Sequence, residues 1–139
     1  MLDYSPFAPL YDLFYADFED DLDLYLGFAE RTSGAILEIG SGTGRVSMAL
    51  AGEAHRVIGL ELSDEMIAIA RKKLAGATLA PAVTSAGVHE PPVQFIQADM
   101  RRFKLDEHFG LAIVPLNTFL HNLTLDDQLA TLNSIKQHL

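Results

Sequence analysis

The sequence predicts an α/β fold: a doubly wound parallel sheet with helices on both faces, three layers in all. Three observations point there. Four short apolar runs, near residues 35–39, 55–62, 93–98 and 111–116, are separated by stretches with helical spacing. Strands that alternate with helices form parallel βαβ units. Three glycines at alternate positions, Gly40, Gly42 and Gly44, cut the first run from the helix that follows it. Polar residues close the other runs, at Glu61, Asp99 and Asn117, which gathers them at the carboxyl edge of such a sheet, where ligands bind.

Residues 1–30 open with a proline-interrupted arm, YSPFAP, and continue with Leu10, Phe14, Phe18, Leu22 and Leu26 at every fourth position, acids between them. This spacing predicts two amphipathic helical pieces before the first strand. Their aromatic residues, Tyr11 and Tyr15 among them, exceed what one helix face needs. The plain reading is core packing against the sheet. The sharper one is an N-terminal helical lid over a ligand cleft, with one tyrosine hydroxyl reaching in.

Residues 35–50, AILEIGSGTGRVSMAL, read as a buried strand, a tight turn, and a helix with Val46, Ala49 and Leu50 on one side. Glycine adopts backbone angles that side chains forbid and lets a ligand lie against bare backbone. The unpaired N–H groups of the first helical turn add partial positive charge at the same spot. Together they make a nucleotide-cofactor cradle. A plain loop rarely needs three glycines in five positions.

Gly52 stops that helix, and HRVIGLEL (55–62) gives a second buried strand ending at Glu61. Ser63 is a good N-cap, with Asp64 and Glu65 well placed in the first turn of the next helix. This helix turns Ile67, Ala70 and Leu74 inward, and Arg71, Lys72 and Lys73 read as a solvated end before Gly76. Residues 75–92 lack a period and predict a long surface connection. The third strand covers 93–98 and ends at Asp99; residues 100–105 predict a short turn. The fourth, 111–116, is almost wholly apolar and is expected to be buried on both faces, with Pro115 near its end. Thr124 to Asp127 reads as a capping box opening a helix with Leu125, Leu129, Leu132, Ile135 and Leu139 inward.

Bulk composition excludes several classes. The 139 residues, 49% hydrophobic, suit one globular domain. A net charge of −9 argues against broad contact with phosphate backbones, so no nucleic-acid partner is expected. There is no cysteine, which removes disulfides, thiolate nucleophiles and cysteine metal sites. His55, His89, His108 and His138 have no metal-site spacing, and no metal is expected. Neither a signal peptide nor a bilayer-spanning run is evident. A cytoplasmic protein without a membrane partner is the expectation.

The motifs resemble those of the class I S-adenosylmethionine (SAM)-dependent methyltransferases, over roughly residues 30–125 in correct order and spacing. ILEIGSGTGR is similar to the first motif, acid-x-Gly-x-Gly-x-Gly, with Glu38 as the acid. The resemblance implies cofactor contacts there from Glu38, Gly40, Ser41, Gly42, Gly44 and Arg45. VIGLELSDEMIAIARKKL is similar to the second, in which Glu61 corresponds to the ribose-binding acid and Leu62 and Met66 lie nearby. FIQADMRRF is similar to the third, where Asp99 and the Met100 backbone correspond to the adenine contacts. Leu116, past the fourth strand, joins the set, and YDLFY is similar to the N-terminal helix of small-molecule members, with Tyr11 toward the cofactor. The implied architecture is Rossmann-like, with strand order 3-2-1-4.

A nicotinamide-dependent (NAD(P)-binding) dehydrogenase domain is the nearest rival. Its fingerprint, Gly-x-Gly-x-x-Gly/Ala, requires a small sixth residue, and here that position is Arg45. The resemblance implies methyl transfer from SAM to a small-molecule N or O acceptor by in-line displacement. Orientation supplies much of the rate, and a base is needed only for a protonated acceptor; His121 and Asn117 are the candidates. Family members carry seven strands, so a single domain over residues 1–139, C-terminally truncated and lacking strands 5–7, is expected. It is then a fragment, a chain completed by a partner, or a non-catalytic module binding SAM or S-adenosylhomocysteine (SAH). An apolar fourth strand without its neighbour predicts a homodimer or a partner chain at that edge.

Overall fold

A computed structural model describes residues 5–83 and 86–139; the first residues of the N-terminal arm and positions 84–85 of the long connection lie outside them. A 3-10 turn at Ser5–Phe7 leads into α1 (Ala8–Phe14), followed by α2 (Leu22–Ala29). Then come β1 (Ile36–Ile39), α3 (Arg45–Gly52), β2 (Val57–Glu61) and α4 (Asp64–Gly76). The connection after α4 holds β3 (Ala82–Val83) and β4 (His89–Glu90), and β5 (Val93–Gln97) and β6 (Leu111–Ile113) follow. A second 3-10 turn (Thr118–His121) and α5 (Leu125–Lys136) complete the order.

The main sheet runs β5-β2-β1-β6, and all of its pairings are parallel. Counting β5 and β6 as the third and fourth predicted strands, this is the order 3-2-1-4. Ile36 of β1 lies opposite Val57 of β2 and Leu111 of β6. Because successive side chains point to opposite faces, Ile36, Val57 and Ile113 pack with Ala29, Val46 and Leu50 beneath α2 and α3. Leu37, Ile39, Ile58 and Leu60 face the other way, onto Met100, Phe103, Phe109 and Ile135 of α5. Ile67 and Ala70 of α4 meet Val93 and Phe95. Helices therefore cover both faces, and β1 sits at the centre.

Several expectations need correction. The long connection is not wholly irregular: β3 and β4 pair antiparallel. The fourth strand stops at Ile113, and its Leu111 and Ala112 are only half-buried. Leu116, three residues beyond it, takes φ 53°, a left-handed backbone. In α5 the predicted inward leucines 125, 129, 132 and 139 are exposed, and the buried face is Thr131, Ser134 and Ile135, with His138 just beyond. That face is held by polar contacts: Ser134 Oγ donates to the Arg101 carbonyl at 2.9 Å, and the Leu105 N–H donates to His138 Nε2 at 2.9 Å. Thr124 does cap α5, its hydroxyl accepting from the Asp127 N–H at 3.2 Å. The Asp127 carboxylate goes instead to Arg101 at 3.0 Å.

Candidate functional site

The three glycines of the turn between β1 and α3 all have positive φ: 71° at Gly40, 55° at Gly42 and 84° at Gly44. Their roles differ. A Cβ on Gly40 would collide with the Thr118 side chain, and one on Gly44 would stand 2.7 Å from Phe95 Cζ. These two let the turn pack on its neighbours. At Gly42 a Cβ would meet only Tyr11 Cε1, at 3.9 Å, so its bare backbone faces an opening.

Across that opening stands Glu61, at the end of β2. Its Oε2 accepts from the Gly42 N–H at 2.9 Å, while Oε1 accepts from the N–H groups of Leu62 (2.7 Å) and Ser63 (2.9 Å). Three backbone donors hold one carboxylate at the rim. Ser63 then caps α4, its Oγ accepting from the Met66 N–H at 3.2 Å.

The opening is a cavity of about 370 Å³. Of the residues read from the sequence, Gly40, Gly42, Glu61, Leu62, Met66, Met100, Leu116, Asn117 and His121 line it, with Tyr11 across the mouth. Ser5, Tyr15, Gln97 and Thr118 also line it and were not read as site residues. The walls carry Glu61, Asp64 and Glu65 and, among the described residues, no lysine or arginine.

Five expected contacts stand behind the wall. Glu38 is 1% exposed and accepts a hydrogen bond from Ser47 Oγ; burial pushes its carboxyl up to about 8, against the opposing pull of that hydroxyl. Ser41 is buried against Gly59. Gly44 packs on Phe95 as described. Arg45 is turned away from the cavity, its guanidinium gripping Asp21 at 2.7 and 2.8 Å and donating to the Phe18 carbonyl at 3.0 Å. The Asp99 carboxylate is likewise engaged elsewhere. Arg101 meets both its oxygens, at 2.9 and 2.7 Å, and holds the carboxyl below its ordinary range. Its neighbours Ala98 and Met100 are the ones that reach the cavity.

The N-terminal segment closes the mouth. Besides Tyr11 and Tyr15, whose rings lie 4.7 Å apart, Ser5 Oγ meets Ser63 Oγ at 3.0 Å. Asp12 accepts from Thr43 Oγ1 at 2.5 Å and pairs with Lys73 Nζ at 3.1 Å. Arg71 and Lys72 are exposed at this helix end as expected, while Lys73 is tied to Asp12 and Arg71 donates to the Phe95 carbonyl at 3.0 Å. Neither Asp12 nor Thr43 stood out in the sequence: Asp12 is one of several acids between the periodic apolar residues of the N-terminal stretch, and Thr43 is one polar residue between two glycines. Among the described residues no group of histidines and acids could hold a metal, and no helix is long and apolar enough to cross a membrane.

Comparison with known proteins agrees with this geometry. A family model described as a methyltransferase domain matches residues 36–139. The dTDP-3-amino-3,4,6-trideoxy-alpha-D-glucopyranose N,N-dimethyltransferase of Streptomyces venezuelae is 30% identical over 140 residues, covering 95% of this chain and 52% of that protein. YqeM of Bacillus subtilis is 27% identical over 135 residues, covering 95% of this chain and 49% of its own length. Among solved structures, the glycopeptide N-methyltransferase MtfA complexed with SAM is 31% identical with a TM-score of 0.70, over 90% of this chain and 48% of that one. Streptomyces venezuelae DesVI gives 26% and 0.73, over 100% and 54%. The chain spans about half the length of the curated relatives it matches. Glycine turn, rim carboxylate, strand order and family match agree: the chain belongs to the class I SAM-dependent methyltransferase family.

Proposed function

We propose that this chain binds SAM in the 370 Å³ cavity and is the cofactor-holding part of a methyltransferase acting on a small-molecule nitrogen or oxygen. The observation that carries the reading is the Glu61 carboxylate fixed opposite the bare backbone of Gly42. Three N–H bonds take three of its about four acceptor sites and leave one, on Oε2, for a ribose hydroxyl. The cavity's size suits a nucleoside-sized ligand. Its acidic, cation-free wall supports a sulfonium ligand and disfavours the pyrophosphate of a nicotinamide dinucleotide. The named activities of the Streptomyces venezuelae dimethyltransferase and of MtfA favour an amine on a sugar or glycopeptide as acceptor.

When bound, SAM supplies a methyl group already activated on a sulfonium. The chain's residues bind and orient. Glu61 takes the ribose, Leu62, Met66 and Met100 flank the base, and Tyr11 closes the mouth. Glu38, Ser41, Gly44, Arg45 and Asp99 act from behind, holding the turn and the strand ends. His121, beside Asn117 on the wall, takes the proton from an acceptor that arrives protonated.

Calorimetric titration with SAM, SAH and NAD tests the cofactor; tight NAD binding with silence toward SAM overturns the reading. A single-turnover assay with amine, hydroxyl and carboxyl acceptors tests catalysis. A chain that holds SAM unchanged under all of them is a binding module, an outcome that its half-length relative to the curated relatives makes worth the experiment. The open side of β6, which among the described residues pairs with β1 alone in the sheet, supports a second copy or a partner chain at that edge.

A further inference from the structure

Helix α1 is seven residues long, and helices much shorter than about 12 residues do not persist on their own. Its outer side offers nothing to hold it: Phe7, Leu10, Leu13 and Phe14 are exposed, the last at 76%. Whatever fixes α1 over the cavity must come from its inner side, where Ala8 is buried and Tyr11, Asp12 and Tyr15 are half-buried.

Asp12 reaches two other elements from there. Its Oδ1 accepts from Thr43 Oγ1 at 2.5 Å, and both oxygens meet Lys73 Nζ, at 3.2 and 3.1 Å. Thr43 is buried between Gly42 and Gly44, inside the turn that faces the cavity, and Lys73 lies in the last turn of α4. Next to Asp12, Tyr11 puts its ring edge over Gly42.

We infer that Asp12 is a positioning residue: it latches α1 to the glycine turn through Thr43, sets Tyr11 over Gly42, and so slows escape of the cofactor. The inference rests on the proposed SAM site. The two partners do not contribute equally. The Asp12 and Lys73 side chains are both more than a third exposed, where an ion pair adds little. The Thr43 hydroxyl is buried and donates to a charged acceptor, which is the stronger bond. Asparagine can still accept that hydrogen bond; alanine cannot.

The test compares Asp12→Ala, Asp12→Asn, Thr43→Val and Lys73→Met in the full chain. Hydrogen exchange of amides 12–15, the ones bonded within α1, is followed without ligand, and release of radiolabelled SAH is followed by chase. Asp12→Ala and Thr43→Val should each speed exchange in α1 and release SAH about tenfold faster, the equivalent of one such bond. Asp12→Asn should recover most of the loss, and Lys73→Met should stay within about threefold of the parent. Melting temperature should hold in all four, which separates a latch from general destabilisation. Unchanged α1 exchange in Asp12→Ala, or equal damage from Asp12→Ala and Asp12→Asn, overturns the inference. A parent chain that takes up no SAH overturns the cofactor reading instead, while the ligand-free exchange still decides whether Asp12 holds α1.

Discussion

Replacing Glu38 by glutamine should change how stability depends on pH. Glu38 lies in β1 under the glycine turn, 1% exposed, with Ser47 Oγ bonded to its carboxyl. Burial is the main influence on it and pushes the folded-state value up to about 8, from an ordinary 4.5. The folded chain therefore keeps a proton that the unfolded chain releases. Between those two values the native state binds more protons, so this group's contribution is complete below pH 4.5 and is lost as pH rises toward 8. From pH 5 to pH 8 the loss is about 3 kcal/mol. Glutamine has the shape of the protonated acid and does not titrate. At pH 5 the two proteins should agree within about 1 kcal/mol; at pH 8 Glu38→Gln should be the more stable by about 3 kcal/mol. Urea unfolding followed by circular dichroism at pH 5, 6.5 and 8 measures this. Parallel pH profiles for parent and variant would refute the buried, proton-holding carboxyl.

Four further outcomes are expected. Gly44→Ala should destabilise the fold by about 2–4 kcal/mol in thermal unfolding, because φ is 84° and the new methyl meets the Phe95 ring. Gly42→Ala, whose new methyl meets only Tyr11 Cε1 at ordinary contact distance, should lose only about 1–2 kcal/mol of stability yet bind SAM more weakly in calorimetry. Glu61→Ala should weaken SAM binding by about 1–3 kcal/mol; an unaltered titration would remove the ribose assignment. Light scattering across a dilution series should find association through the open β6 edge, where a clean monomer with protected β6 amides would mean the chain covers that edge itself.

The sheet was legible because β1 and β2 are buried almost throughout, and a buried strand writes itself as a near-continuous apolar run, broken in β1 only by Glu38. The turn was legible for a similar reason: positive φ at Gly40, Gly42 and Gly44 leaves glycine as the natural residue. Helix α5 was misread because it has two plausible faces. Leucines 125, 129 and 132 make one at helical spacing, but the core takes Thr131, Ser134 and Ile135, with the Ser134 hydroxyl satisfied by the Arg101 carbonyl. Periodicity reports that a helix has an apolar side, not what that side meets. The partners of Arg45 and Asp99 were hidden in another way. Asp21 is 24 residues from Arg45 in the chain, and nothing local announces that pairing. Asp99 is only two residues from Arg101, but either residue could equally have turned to a ligand.

The parallel sheet also orders assembly in time. No strand of the main sheet can meet its neighbour through a hairpin. Pairing β1 with β2 closes about 20 residues of chain, β2 with β5 about 35, and β1 with β6 about 75. Closure entropy grows with the logarithm of loop length, so the last pairing costs about 1 kcal/mol more than the first before any contact repays it. During synthesis, β1, β2 and β5 emerge and can associate while β6 is still to come. Until β6 arrives, the β1 edge beside the glycine turn stays open, and the turn it anchors waits for the packing of Thr118 on Gly40. The cavity, lined in part by Leu116, Asn117, Thr118 and His121, is thus completed late in the life of the nascent chain.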